Sequence, residues 1–446
     1  MIKIFLLVVF MLVSLTAWAQ NADERIGLMM GESRWFELED ELKSTPADSI
    51  NPLLRQMAIT MTHHYFNRPD SACMVLSDLL NNHQQELGNN SLSMAILLGI
   101  NLARTDRYAE AASLLQDLCD QLAAQGVDSS QIESYSLLAD QYQVYAKNSP
   151  ICKPIHPNRE YRIPMVIENE TGQHALMMNG FINGNESKLV FDTGAGINII
   201  SPKQASDHNL KLLDAYMPML GIGKQYGQYA LADTMRIGDM TWINVPFFVV
   251  DIQAGHTKAD SFLKQLPPVI GLPVMLSMQE IQMDFTNHEF IIPSSPTPNP
   301  MNRSNLLRND SENLRVASTD KDGNPLLFHF DTGGYYTKLT PKWYAGHKAE
   351  IDATGSPDSI RIAGVGGISI TRAYRMPKMT FSIGRGTADL DSVMVDTGID
   401  LHSGNQKMTE YLNGNEDGTI GLNLLERFAR IILNFKDMYI DAMPYM

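Results

Sequence analysis

Leu189-Val190-Phe191-Asp192-Thr193-Gly194-Ala195-Gly196 and Phe328-His329-Phe330-Asp331-Thr332-Gly333-Gly334 are the two stretches whose reading decides the fold. Each is an apolar run that ends in Asp-Thr-Gly, and they lie 139 positions apart. Three further matches follow in the same order. Gly221-Ile222-Gly223 matches Gly364-Val365-Gly366 at 143, Val269-Ile270-Gly271 matches Thr419-Ile420-Gly421 at 150, and 280–285 matches 430–435, also at 150. An offset that creeps upward while the order holds indicates a duplicated fold whose loops have grown. Around these stretches Val, Ile, Phe and Thr cluster in short runs broken by Gly, Asn and Asp, which predicts an all-β region.

The chemistry follows from the turn. A strand delivers the Asp to a tight turn, where Gly194 or Gly333 lets the backbone pass close. The hydroxyls of Thr193 and Thr332 can hydrogen-bond across to the partner turn. Two such turns facing each other bring two carboxyls within reach of one water. Like charges that close cannot both ionise comfortably, so the pair shares a proton. The charged member then acts as base on the water and the protonated member as acid on a scissile carbonyl. No cofactor, metal or covalent intermediate is required.

These residues resemble the aspartic peptidases of the pepsin and retropepsin type. The resemblance rests on apolar-apolar-Asp-Thr-Gly, a glycine-containing flap hairpin, and an apolar-apolar-Gly supporting segment, all present twice between about 163 and 446. It implies that Asp192 and Asp331 form a catalytic dyad, one from each lobe, and that Thr193, Gly194, Thr332 and Gly333 support it. It also implies that Val269-Ile270-Gly271 and Thr419-Ile420-Gly421 brace the turns from behind. Gly221, Gly223, Tyr226, Gly364 and Gly366 are the flap candidates, with Tyr226 expected over bound substrate. Ala195 fits the small residue usual after Asp-Thr-Gly, whereas the second lobe has Gly334. Val395-Asp396-Thr397-Gly398 is a third copy, but it aligns with Val250-Asp251-Ile252 at 145. It reads as the end of a later strand, and Asp396 is not expected in the dyad.

Outward from this core the chain changes character. Lys3, an apolar run from Ile4 to Leu15 and Ala17-Trp18-Ala19 predict a signal peptide over 1–19 and an exported, periplasmic or secreted protein with no membrane span after its removal. Residues 20–150 show helical periodicity, as in Leu115, Leu118 and Leu122. Arg68–Leu79 matches Arg107–Leu118 at an offset of 39, and 98–122 resembles one tetratricopeptide unit. Three prolines within 148–163 end that zone, and Pro293 to Pro300 opens a compositional linker over 293–312. The expected order is therefore an α+β multidomain chain: signal peptide, helical domain, lobe one at 163–292, linker, and lobe two at 313–446.

Composition removes other classes. The 446 residues are 44% apolar and 19% charged, which is ordinary for a globular chain. A net charge of −15 with no basic cluster argues against nucleic acid. Cys73, Cys119 and Cys152 form neither a disulfide framework nor a C-x-x-C site. His63-His64 lack a third ligand at metal spacing, and Gly221 to Gly227 lacks the helix a phosphate loop needs. The 26 methionines are scattered and read as core filler. The expected partners are a protein or peptide substrate at the dyad and a protein partner at the helical domain. The leading reading is an aspartic endopeptidase. Its rivals are a catalytically silent peptide-binding module on a helical-repeat scaffold, and a helical segment serving as a pro-segment over the cleft.

Overall fold

The structure is a computed structural model that describes residues 21–156, 159–169, 174–220, 224–310, 312–364, 367–401 and 415–445. The expected signal peptide and the flap glycines Gly221, Gly223 and Gly366 lie outside the described residues. The chain forms two compact units that divide between Pro150 and Ile151.

The first unit is helical: α1 (Ala22–Gly31), α2 (Trp35–Ser44), α3 (Pro52–Tyr65), α4 (Pro69–Asn82), the short α5 (Gln84–Leu87), α6 (Asn90–Arg104), α7 (Tyr108–Ala124) and α8 (Ser129–Asn148). Helices pack on their chain neighbours, α3 on α4, α4 on α6, α6 on α7 and α7 on α8. Leu76, Leu79, Leu97 and Leu115 are fully buried along the seams, each burial worth roughly 1.5–3 kcal/mol. Gly99 lets Leu115 approach to a distance that a Cβ would crowd. Three turns close alike, with Ser33, Asn67 and Asp106 at positive φ. The next N–H, from Arg34, Arg68 and Arg107, donates to Met29, His63 and Leu102 carbonyls at 2.8, 2.8 and 3.0 Å. Sequence alone shows the last two of these hairpins. The first shares only the left-handed residue and the arginine, too little to register as a repeat. Among the described residues no helix is long and apolar enough to cross a membrane.

The second unit, from Ile151 on, is a pair of β lobes. Among the described residues, lobe one is built on a nine-stranded sheet and lobe two on a ten-stranded sheet. In lobe one the strand Asn185–Phe191 is joined in parallel by Val269–Ile270, which also pairs antiparallel with Ile199–Ile200. Lobe two repeats this with Pro325–Phe330, Gly418–Ile420 and Lys338–Leu339. A late strand thus inserts between two early ones and pins the turn that connects them. A five-stranded antiparallel sheet joins the lobes. At its centre Glu280–Asp284 pairs with Arg430–Asn434, Glu280 opposite Asn434 and Asp284 opposite Arg430. These strands occupy matching places in the two lobes, so the register turns about a pseudo-twofold at Gln282 and Ile432. The Asp284–Arg430 ion pair, 2.6 Å, closes one end.

Two expected boundaries shift. Lys153–Ile155 already pairs with the strand Met240–Val249, and Tyr161–Pro164 with Glu289–Ile292, so β structure begins before residue 163. Residues 293–312 carry more structure than a linker. Thr297 donates from its N–H and Oγ1 to the Glu280 carboxylate at 2.6 and 2.8 Å, and Leu306–Arg308 pairs with Leu314–Thr319. Proline and serine content reported irregular backbone there, but not whether that backbone packs.

Candidate active site

Phe191 and Phe330 are fully buried and anchor the ends of the two delivering strands. Past them the chain stays tied to the inserted strands, for Asp192 N–H donates to the Ile270 carbonyl (3.0 Å) and Asp331 N–H to that of Ile420 (3.1 Å). The threonines then lock the turns together. Thr193 Oγ1 donates to the Phe330 carbonyl at 3.1 Å and accepts from Thr332 N–H at 3.0 Å. Thr332 Oγ1 donates to the Phe191 carbonyl at 2.9 Å and accepts from Thr193 N–H at 3.0 Å. Both side chains are buried, so four bonds cross between lobes without competition from water.

The same geometry brings the carboxyls together. Gly194 N–H donates to Asp192 Oδ1 at 2.8 Å, and Gly334 N–H to Asp331 Oδ1 at 3.0 Å. A Cβ on Gly194 would stand 2.6 Å from Asp331 Oδ1, and one on Gly333 would stand 2.4 Å from Asp192 Cγ. Each carboxyl therefore lies against the glycine of the opposite turn, in space only glycine leaves open. Behind the turns, a Cβ on Gly271 would meet the Ala195 carbonyl at 2.4 Å and one on Gly421 that of Tyr335 at 2.6 Å. Asn198 and Thr337 hold these glycines, accepting from Gly271 N–H (2.8 Å, Oδ1) and Gly421 N–H (3.0 Å, Oγ1). Sequence reasoning missed them because the two lobes use different side chains for one task.

Burial, followed by the Asp331 carboxylate, pushes the Asp192 carboxyl up to about 8, while N–H groups of Gly194 and Gly333 pull the other way. Asp192 keeps some accessible surface but is densely surrounded by protein, which is why desolvation leads. Two residues before Asp331, His329 Nδ1 lies 2.8 Å from Arg315 Nη1. Burial and the Arg315 charge hold the His329 imidazole down to about 4. Arg315 is itself buried and paired through Nε with the buried Glu416 carboxylate.

The flap candidates fall on two hairpins. In lobe one Lys211–Leu220 pairs with Lys224–Ile237, and Tyr226 stands exposed opposite Pro218 with the Lys224 ammonium 4.8 Å from its ring centroid. In lobe two Ser356–Gly364 pairs with Gly367–Met376, and Gly364 ends its strand opposite Gly367. Asp396 takes no part in the paired turns. It sits within the strand Val393–Asp400 rather than at its end, buried, with Oδ1 accepting from Gly398 N–H at 2.8 Å. Its alignment also moves by one. Val249 pairs with Ile200 and Val395 with Leu339, so Asp396 occupies the place of Val250, not Asp251. Among the described residues no group of His, Cys, Asp and Glu is arranged to hold a metal ion.

A family model described as aspartyl protease matches residues 178–271, which include the Asp192 turn and Gly271. Among solved structures the chain is similar to an aspartic proteinase from Irpex lacteus, at 13% identity and TM-score 0.40, over 63% of this chain and 96% of that one. It is also similar to Basic 7S globulin from soybean, at 11% identity and TM-score 0.38, over 63% and 94%. The comparison with curated proteins gives no match. The fold of the β unit is aspartic protease-like.

Proposed function

We propose that the chain is an exported aspartic endopeptidase whose dyad is Asp192 and Asp331. The observation that carries this is the reciprocal one. Each carboxyl is pressed against the glycine of the other turn, while the threonines bond across in both directions. An extended peptide lies across the two turns in this reading, with the strand pairs Lys211–Leu220/Lys224–Ile237 and Ser356–Gly364/Gly367–Met376 as its flaps. The charged carboxyl takes a proton from a water held between the pair as that water's oxygen bonds to the scissile carbonyl carbon. The protonated carboxyl donates to the carbonyl oxygen, giving a neutral gem-diol. The carboxyl that took the water proton passes it to the amide nitrogen while the other carboxylate takes a proton from a gem-diol hydroxyl; the C–N bond breaks, an acid and an amine leave, and the dyad again holds one proton. The raised Asp192 carboxyl supplies the protonated member at neutral pH.

The helical hairpins serve, in this reading, as a tetratricopeptide-like scaffold for a protein partner, and residues 1–19 direct export. Cleavage of a denatured test protein, with and without a statine-type inhibitor, tests the activity. Inhibitor-sensitive cleavage is expected. Cleavage indifferent to the inhibitor, or none at any pH between 3 and 8, would count against the reading. Amino-terminal sequencing of the mature protein should begin at Gln20.

A further inference from the structure

The two lobes share a backbone plan but differ along one row of side chains. In lobe one, Met177, Val190, Val269, Ile199 and Phe248 stand side by side across paired strands. In lobe two, the same pairings align Arg315, His329, Thr419, Lys338 and Met394. Cross-strand partners lie on one face of a sheet, and residues two apart on a strand share that face. Val190 and His329 each precede their aspartate by two. The row behind Asp192 is therefore apolar, and the row behind Asp331 is basic.

The charges in the second row can be counted. Arg315 is a cation matched by Glu416, and Lys338 adds a second. The guanidinium can only donate, so His329 Nδ1 accepts and the ring carries its proton on Nε2, neutral. His329 also interacts electrostatically with Asp331 and Lys338. The acid facing Lys338 is Asp396, whose carboxyl burial pushes up while the Gly398 N–H, Thr371 and the Lys338 charge pull it the other way. The Asp331 side thus carries two cations, Arg315 and Lys338, beside one ionised partner, Glu416, and one acid that burial makes less ready to ionise. At the matching positions behind Asp192, Met177, Val190, Val269, Ile199 and Phe248 carry no charge.

We infer that this row breaks the symmetry of the pair, holding the negative charge on Asp331 and leaving the shared proton on Asp192. Resting on the proposed function, the assignment makes Asp331 the base toward water and Asp192 the acid toward the carbonyl. Arg315, His329 and Lys338 are then positioning residues, acting through Asp331 without touching substrate.

The test uses stability, which needs no turnover. A native state holding one proton more than the unfolded chain loses about tenfold in its folding constant per pH unit. Urea titrations of the full chain between pH 6.5 and 7.5 should show that loss in wild type and in Asp331→Asn, where Asp192 is still buried. Asp192→Asn should lack it, because the raised carboxyl is gone. Equal pH dependence in the two variants, or the reverse order, overturns the assignment. Lys338→Ile, which restores the lobe-one residue, should return part of the dependence to Asp192→Asn and shift the acidic limb of the cleavage profile. No change in either readout also overturns it. Missing cleavage with the stability pattern intact would refute the proposed function alone, so the two failures are distinguishable.

Discussion

Replacing Thr332 by valine tests how far the two lobes depend on their paired turns. Valine keeps the volume and branching of threonine but has no hydroxyl. It removes the bond to the Phe191 carbonyl and the one accepted from Thr193 N–H, 2.9 and 3.0 Å long. Thr332 is 1% exposed, so water cannot replace either partner. Two backbone groups are left buried and unpaired at roughly 1–3 kcal/mol each, a loss of about 2–6 kcal/mol. Serine keeps both bonds and loses one methyl, costing roughly 1 kcal/mol. Thr193→Val should behave alike through Phe330 and Thr332, and because each hydroxyl accepts from the other residue's N–H the double variant should depart from the sum of the two. Urea denaturation of a Trp18→Phe/Trp35→Phe background followed by tryptophan fluorescence reads this out, since Trp242 and Trp343 then report on the lobes. A Thr332→Val variant no less stable than Thr332→Ser, or one losing under about 1 kcal/mol, would show that the paired hydroxyls do not hold the lobes together.

Other consequences are equally direct. Gly333→Ala places a Cβ 2.4 Å from Asp192 Cγ, so the carboxyl must move; cleavage should fall by about 100-fold or more with circular dichroism unchanged. The depressed His329 adds stability that is full above about 6.5 and disappears as pH falls through about 4, roughly 3 kcal/mol in all. His329→Val should therefore lose less stability than wild type between pH 7 and 4, measured by urea titration. The raised Asp192 works in the opposite sense: its contribution is greatest in acid and declines as pH rises toward about 8. Cleavage should persist to neutral pH and fall about tenfold per unit above that value in a pH–rate profile.

The duplication was legible because its constraints are local. A turn against a neighbouring carboxyl admits only glycine, and a strand end buried on both faces admits only large apolar residues, so Phe191, Gly194, Phe330 and Gly333 stand at fixed spacing in both lobes. Where loop length varies, local pattern fails. The one-residue slip at Asp396 arose between the flap and the supporting glycine, where pairing with Leu339 decides the register and no motif marks it. The Arg315–Glu416 pair joins positions 101 apart that look, in sequence, like ordinary surface charges. Asn198 and Thr337 share a role through the backbone they hold rather than through residue type. The packing of 293–312 came from Glu280, which composition could not connect to Thr297.

In the proposed function one carboxyl from each lobe forms a single catalytic unit. The most direct measurement is the cleavage rate of a peptide substrate by wild type, Asp192→Asn, Asp331→Asn, the double variant and Asp396→Asn, each first shown to have wild-type circular dichroism. Either single substitution in the pair should remove nearly all activity and the double should be scarcely worse, since neither carboxyl works without its partner. Asp396→Asn should stay near wild type. Substantial activity in either single variant of the pair, or an Asp396→Asn loss matching theirs, would contradict the proposed function.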